Sequence, residues 1–534
     1  MTKPLETTRA ALIAQLEQSE EFDIAIIGGG ATGLGVALDA ALRGFKVLLL
    51  ESHDFAKGTS SRATKLVHGG VRYLAQGNVA LVYEALHERA NLLHNAPHIA
   101  QPLSFVMPSY KFWETPFYGA GLKAYDVLAG KSGLGATEFL SRKHTLQALP
   151  ALKADGLKGG VKYWDGQFDD ARLALALART AAQQGALLLN YMPVTKLIHE
   201  DGKLVGLKCQ DSESGKSYKI KSKCIINATG VWVDALRKQD GDALKNPTSD
   251  IVAPSQGVHV VVDREFMPCD TAMMIPKTAD GRVLFAVPWL GKTILGTTDT
   301  PRHDLAREPE PFKDELKFIL TEAGNYLSKV PKRTDIKSIW VGLRPLVKPP
   351  EDSGDTKTIS REHTVLVSSS GLVTVTGGKW TTYRAMAEDV LTQCFDAKLL
   401  PHRPADVTKN FKLLGAQSFD ASSTKPSNMS IHNMSVPQGL HSYGDEASVV
   451  SKLPGHKTVL HEGLTEAMVR FAARYEYART VEDMLARRWR TLFLDAKLAA
   501  SLAETVATIL QEETDQDPQL AAFLELAKQY QTLP

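Results

Sequence analysis

The apolar positions of the chain fall into short β-branched runs broken by glycine-rich turns, alternating with longer stretches of helical spacing. Residues 22–27 (FDIAII) read as a buried parallel strand, followed by Gly28-Gly-Gly30-Ala-Thr-Gly33 and a helix-favouring stretch over 34–43. Gly44 stops that helix and residues 45–50 make the next strand. Residues 171–184 (ARLALALARTAAQQ), ahead of Gly185, predict a helix, and 203–226 a β-ribbon around the turn 212–215. Residues 257–262, 283–287 and 293–296 read as strands of a second, antiparallel sheet. Residues 373–376 predict a strand that opens at Gly377-Gly378 into a helix running through Ala387. Near the end, 466–477 and 481–511 carry the Ala, Leu, Arg and Glu periodicity of a small helical bundle. Residues 415–440, rich in Ser, Asn and Pro, read as a linker or long surface segment.

These elements predict an α/β protein: a Rossmann-like dinucleotide domain, an antiparallel-sheet domain facing the substrate, and a C-terminal helical domain. The expected boundaries are 22–95, 160–240 and 340–395 for a discontinuous nucleotide domain, 96–159 and 241–339 for the substrate-binding cap, and 400–534 for the helical domain.

Composition narrows the function classes. The chain has 534 residues, 43% hydrophobic and 23% charged, which excludes whole-chain disorder, collagen and a disulfide scaffold. With 62 Lys+Arg against 60 Asp+Glu there is no broad positive field, so nucleic acid is not an expected partner. Cys209, Cys224, Cys269 and Cys394 lack CxxC spacing, so no zinc or iron–sulfur site is expected and a reducing compartment is the simplest home. The first 22 residues read as a short amphipathic helix rather than a secretory signal. Residues 24–38 are uncharged, but they include five glycines and are too short to span a bilayer.

The glycine-rich turn carries the chemistry. Gly28 permits a tight turn, Gly30 lets the backbone approach a pyrophosphate, Gly33 lets the helix pack closely on the strand, and the helix N-terminus faces the anion. Glu51, 18 residues after Gly33, is placed to accept from ribose hydroxyls. This fingerprint alone does not separate FAD from NAD. Three further segments favour FAD: the hydroxyl-rich loop 58–65 with Thr59, Ser60 and Ser61, the strand-and-turn Ile225-Ile-Asn-Ala-Thr229-Gly230, and the Gly377-Gly378 turn. Each alone fits an ordinary strand and turn; together they suit one long cofactor held by distant parts of the chain.

The ordered passages Thr59-Ser-Ser-Arg-Ala-Thr-Lys-Leu-Val-His-Gly-Gly-Val-Arg-Tyr73, Asp169-Asp-Ala-Arg-Leu173, Asn227-Ala-Thr-Gly230, Gly296-Thr-Thr-Asp299, Gly342-Leu-Arg-Pro-Leu346, Gly377-Gly-Lys-Trp-Thr-Thr-Tyr-Arg384 and Ala478-Arg-Thr-Val-Glu-Asp-Met-Leu485 resemble the FAD-dependent glycerol-3-phosphate dehydrogenases of the D-amino-acid-oxidase-like group. The resemblance covers about 22–390, with a C-terminal domain of the expected kind to about 525. Trp380, Val341-Gly-Leu343 and the 415–440 segment depart from the commonest pattern. The resemblance implies FAD-dependent oxidation of sn-glycerol 3-phosphate to dihydroxyacetone phosphate, with hydride passing to flavin N5. It places Arg72, Tyr73, Lys379 and Thr381 at the phosphate, Arg344 beside the reacting hydroxyl, and His259 as general base. A lone histidine on a Val-rich strand also fits a satisfied core position. His68 could simply brace the cofactor loop, and Asp299 cap a turn.

The resemblance further implies a membrane quinone as electron acceptor and a cytoplasmic protein held peripherally at the inner face of the cell membrane. Residues 110–118 and 121–128 mix aromatics and lysines as an interfacial anchor would, and fit an aromatic lid or a core segment equally well, while Arg487, Arg488 and Arg490 suit either lipid headgroups or a solvated helix face. Rival readings are an O₂-using glycerol-3-phosphate oxidase, a flavin amine or 2-hydroxy-acid oxidoreductase, and a non-catalytic flavin-binding interaction protein. The sequence leaves the oligomeric state open, a homodimer included.

Overall fold

A parallel sheet organises the first half of the architecture. The computed structural model describes residues 5, 7–75, 77–278, 281–348, 363–418 and 433–534, with the backbone but not the side chains of Arg72 and Ala75. Strand Phe22–Ile27 is buried at every position except Asp23, as a strand covered on both faces must be. It pairs in parallel with Val47–Leu50 on one side and Ser217–Asn227 on the other. Leu187–Leu189 extends the first side, and Leu372–Gly377 and His363–Val367 extend the second. The chain thus leaves Phe22–Ile27 in both directions, and this topological switch opens a crevice beyond the carboxyl ends of the strands. The ribbon expected over 203–226 is present as Lys203–Gln210 paired antiparallel with Ser217–Asn227, with Val194–Glu200 alongside.

The second sheet has ten strands, and its long antiparallel pairings are Ala100–Ser109 with Gly159–Phe168 and Val252–Asp263 with Ser338–Val347. This corrects two expected boundaries. Residues 160–168 and 340–347 were assigned to the nucleotide domain, but both strands hydrogen-bond along their whole length within the second sheet. The chain crosses over only at their ends, where Asp170–Gln183 begins and where 342–346 reach the crevice. The roof is also not wholly antiparallel, since Ala272–Ile275 runs parallel to Ala100–Ser109.

Helices Glu466–Tyr475, Ala496–Thr514 and Leu520–Gln531 form the C-terminal bundle. Its apolar cluster includes Trp289 and Trp340 from the second sheet, so the bundle shares a core with the body. The helix expected over 481–511 is broken at Trp489 and Asp495. Arg487, Arg488 and Arg490, expected to meet lipid or solvent, turn inward and are 2%, 0% and 0% exposed; their partners are Asp54, Asp483 and Asp170. Of the 415–440 segment, 419–432 lie outside the described residues; past it, Leu290 N donates to Met434 O (2.7 Å), tying 434 to the second sheet.

Candidate active site

A cavity of about 580 Å³ fills the crevice at the switch point. Gly28, Gly30, Glu51, Thr59, Ser60, Thr229, Gly230, Gly377 and Gly378 all line it. At two glycines of the first turn, Gly28 and Gly33, nothing larger fits. Gly28 has φ +110°, and a Cβ on it would lie 2.5 Å from the Ala228 carbonyl oxygen; one on Gly33 would lie 2.0 Å from the Gly28 carbonyl oxygen. Gly33 therefore sits beneath the cavity and brings helix Ala31–Leu42 against the turn. That helix begins at Gly30, which has no side chain to cap it, and Ala31 and Thr32 of its first turn line the cavity, so this helix start suits an anion. Glu51 Oε2 accepts from Gly29 N (2.7 Å) and Oε1 from His53 N (2.9 Å), which fixes the carboxylate at the end of the second strand.

The hydroxyl loop divides its roles. Ser60 Oγ accepts from Ala31 N (2.9 Å), and Thr59 Oγ1 donates to Leu343 O (2.6 Å). Ser61, expected at the cofactor, does not line the cavity. It is 1% exposed, and its carbonyl accepts from Lys65 Nζ (2.7 Å) and Arg490 Nη2 (2.8 Å), because the turn after Ser60 directs it toward the helical domain. Trp232 and Arg307, to which the sequence assigns no role, line the same cavity with the guanidinium 4.0 Å from the ring centroid. Trp232 follows the Thr229-Gly230 turn closely enough to have been noticed, whereas Arg307 lies in a loop with no motif. A glycine cradle, a helix start at the cavity wall and a fixed acidic residue together fit a dinucleotide, and FAD is the cofactor.

Lys379, Thr381, His259 and Arg344 line the far part of this cavity, and a second cavity of about 170 Å³ adjoins it, sharing Thr64, Leu66, His68 and Arg344. Tyr73, Asp165, Arg282 and Asp299 add to the second wall. Lys379 Nζ lies 4.0 Å from the Tyr73 ring centroid. Thr381 Oγ1 accepts from His68 N (3.3 Å), joining the loop ahead of helix Val71–Ala75 to the Gly377-Gly378 turn. Arg72 is on that helix, with its side chain outside the described residues. Arg344 is pinned: it donates to Thr298 O (2.9 Å) and Thr297 Oγ1 (3.1 Å) and pairs with Asp299 (3.3 Å). Asp299 also accepts from Ser255 Oγ, so it orients the arginine rather than merely capping a turn.

His259 is 2% exposed, its ring stacked on Trp340 at 4.1 Å and 18°. Nε2 lies 2.9 Å from Thr64 Oγ1, and Nδ1 has no hydrogen-bond partner among the described residues. Burial, followed by the nearby charges of Lys65 and Arg344, holds the imidazole well below its ordinary pKa of 6.5. The ring is therefore neutral and able to accept a proton. Lys65 is itself fully buried, with Nζ bonded to Asp170 Oδ2 and Ser61 O at 2.7 Å each. Burial pulls its pKa down to about 7, with Asp170 opposing the shift and Arg490 adding to it. Thr64, Lys65 and Arg282 were not assigned roles from the sequence; the first two lie inside the motif 59–73, and Arg282 has no local signal.

Residues 23–384 match the family described as FAD dependent oxidoreductase, and residues 406–520 match the C-terminal domain of alpha-glycerophosphate oxidase. The chain is 41% identical over 537 residues to the mitochondrial glycerol-3-phosphate dehydrogenase of Bos taurus, an alignment that covers 96% of this chain and 73% of that protein. The solved glycerol-3-phosphate dehydrogenase from Bacillus halodurans, complexed with FAD, superposes with a TM-score of 0.76 at 28% identity, covering 98% of both chains. The L-alpha-glycerophosphate oxidase from Mycoplasma pneumoniae shares the fold, with a TM-score of 0.57 at 19% identity over 74% of this chain and 99% of that one. With the cradle, the paired cavities and matches running through both the body and the helical domain, the chain belongs to the glycerol-3-phosphate dehydrogenase family of FAD-dependent oxidoreductases.

Proposed function

We propose that the protein oxidises sn-glycerol 3-phosphate to dihydroxyacetone phosphate and passes the electrons to a membrane quinone while lying on the inner face of the cell membrane. The observation that carries the reading is the junction of the two cavities, where a pinned arginine lines both, a neutral histidine lines the larger, and the smaller chamber has cations on its walls. Bound FAD supplies the hydride acceptor. The chain supplies the rest. Lys379, with Tyr73, Thr381 and, from the resemblance, Arg72, holds the phosphate dianion. Arg344, held by three oxygens, stabilises alkoxide character on the reacting hydroxyl without having to reorganise. His259 takes the hydroxyl proton at Nε2.

Anaerobic addition of sn-glycerol 3-phosphate is expected to bleach the flavin absorbance of the holoenzyme, and an unbleached flavin would leave a binding protein. Reoxidation by a soluble quinone is expected to outpace reoxidation by O₂; the reverse order would move the protein to the oxidase reading.

The membrane contact is assigned to the segment around helix Glu114–Ala129. Phe112, Trp113, Phe117 and Val127 are 81%, 54%, 65% and 80% exposed, while Leu122 and Tyr125 on the same helix are buried. Lys158 sits 4.7 Å from the Phe112 ring, an amphipathic edge of the kind that settles between headgroups and acyl chains. None of the four exposed residues lines either cavity, which argues against the lid reading. Replacing Phe112, Trp113 and Phe117 together by serine is expected to weaken binding to anionic vesicles about tenfold or more, since burying even one such ring is worth about 1.5–3 kcal/mol. Sedimentation with vesicles measures this; unchanged binding would move the contact elsewhere.

A further inference from the structure

We propose that the hydroxyl of Thr64 carries the substrate's hydroxyl proton to His259, an assignment that rests on the oxidation proposed above. His259 lines the larger cavity alone and is almost wholly buried, whereas Thr64 lines both cavities. The histidine therefore meets the smaller chamber through the threonine. Thr64 Oγ1 lies 2.9 Å from Nε2, and Trp340 stacks on the ring. The other ring nitrogen is buried with no partner among the described residues, so Nε2 is the nitrogen with a path outward, and a hydroxyl stands on that path.

A hydroxyl accepts and donates in one step. As the substrate O–H bond breaks, its proton joins Thr64 Oγ1 while the threonine's own proton passes to Nε2. The threonine ends neutral, the histidine gains one proton, and no electrons move in this transfer. The direction is favourable because the oxygen becomes strongly acidic as its carbon turns into a carbonyl, so even an imidazole flanked by Lys65 and Arg344 accepts. The adjoining backbone holds the relay in place. Lys65 has φ +66°, its ammonium is clamped between Asp170 and the Ser61 carbonyl, and Arg490 pairs with Asp170 from the helical domain (3.2 Å).

Thr64→Val keeps the shape and removes the hydroxyl; Thr64→Ser restores it. In anaerobic stopped-flow with sn-glycerol 3-phosphate, the valine variant is expected to reduce its flavin about 10²-fold more slowly than wild type, and the serine variant within about threefold of wild type. FAD content and equilibrium binding of dihydroxyacetone phosphate should be unchanged in both. In mixed H₂O and D₂O the wild-type and serine enzymes should show the bowed proton inventory of two protons in flight, and the valine variant should lose it. A valine variant as fast as wild type, or a serine variant as slow as valine, overturns the relay alone. A wild-type flavin that the substrate does not reduce overturns the oxidation, and the relay with it.

Discussion

Replacing His259 by alanine is expected to slow flavin reduction by sn-glycerol 3-phosphate about 10²-fold or more, with FAD still bound. Histidine is the group at the cavity junction whose ordinary titration is closest to neutrality, yet here it is kept from charging. Burial acts first, and Lys65 and Arg344 add like charge. A base works only when deprotonated, so activity is lost as pH falls through the folded pKa. Because that pKa is lowered well below 6.5, the histidine limb of the reduction rate should lie in solution more acid than pH 6.5, the ordinary histidine value, and below the range near 7 in which Lys65 titrates. Measuring the reduction rate against pH under anaerobic conditions checks the sign. A limb centred near 6.5 would place the base in solvent, and near-normal reduction in the alanine variant would pass the role to His68 or Asp299, both of which line the second cavity.

What could be read from the chain depended on how local the signal was. The strand, glycine turn and helix over 22–43 were legible because each step is set within a few residues: the β-branched run is buried on both faces, and Gly28 and Gly33 are required by contacts under 3 Å. Residues 160–168 and 340–347 fall with the nucleotide segments in the sequence reading, and their membership of the second sheet is not legible locally, since their partners lie as far off as 100–109 and 252–263. Ser60 and Ser61 look alike in sequence, yet only Ser60 lines the cavity. Which of them faces the cavity is settled by the tight turn at 59–61 and by the left-handed backbone at Ala56 and Lys65. The inward turn of Arg487, Arg488 and Arg490 is not legible locally because their acidic partners across the fold, Asp54 for the first two and Asp170 for the third, lie more than 300 residues away in the chain.

That partnership predicts the largest stability effect. Asp54→Ala is expected to destabilise the joint between the helical domain and the nucleotide domain by about 3–5 kcal/mol, the cost of leaving buried charge uncompensated. Asp54 is 0% exposed. It accepts from Arg487 Nε and from Arg488 Nη1 and Nη2, the last at 2.9 Å, and Asn190 Nδ2 approaches at 3.3 Å. Removing it leaves Arg488 with backbone oxygens as acceptors, while Arg487 keeps Glu482 (2.7 Å) and Asp483 (2.9 Å). Burial by itself would raise the Asp54 carboxyl, but Arg488 and Arg487 outweigh it and hold the group below its ordinary value. A carboxylate lowered in this way stabilises the fold above the unfolded pKa of about 3.9, and the contribution disappears as pH falls through the lower folded value. At neutral pH the full effect is therefore present. A chain of several domains has no single unfolding midpoint, so the suitable readout is amide hydrogen exchange in the bundle. Exchange over 466–510 should quicken by about 10²–10⁴ in the alanine variant, and unchanged protection would mean that the apolar core around Trp289 and Trp340 holds the bundle without the ion pairs.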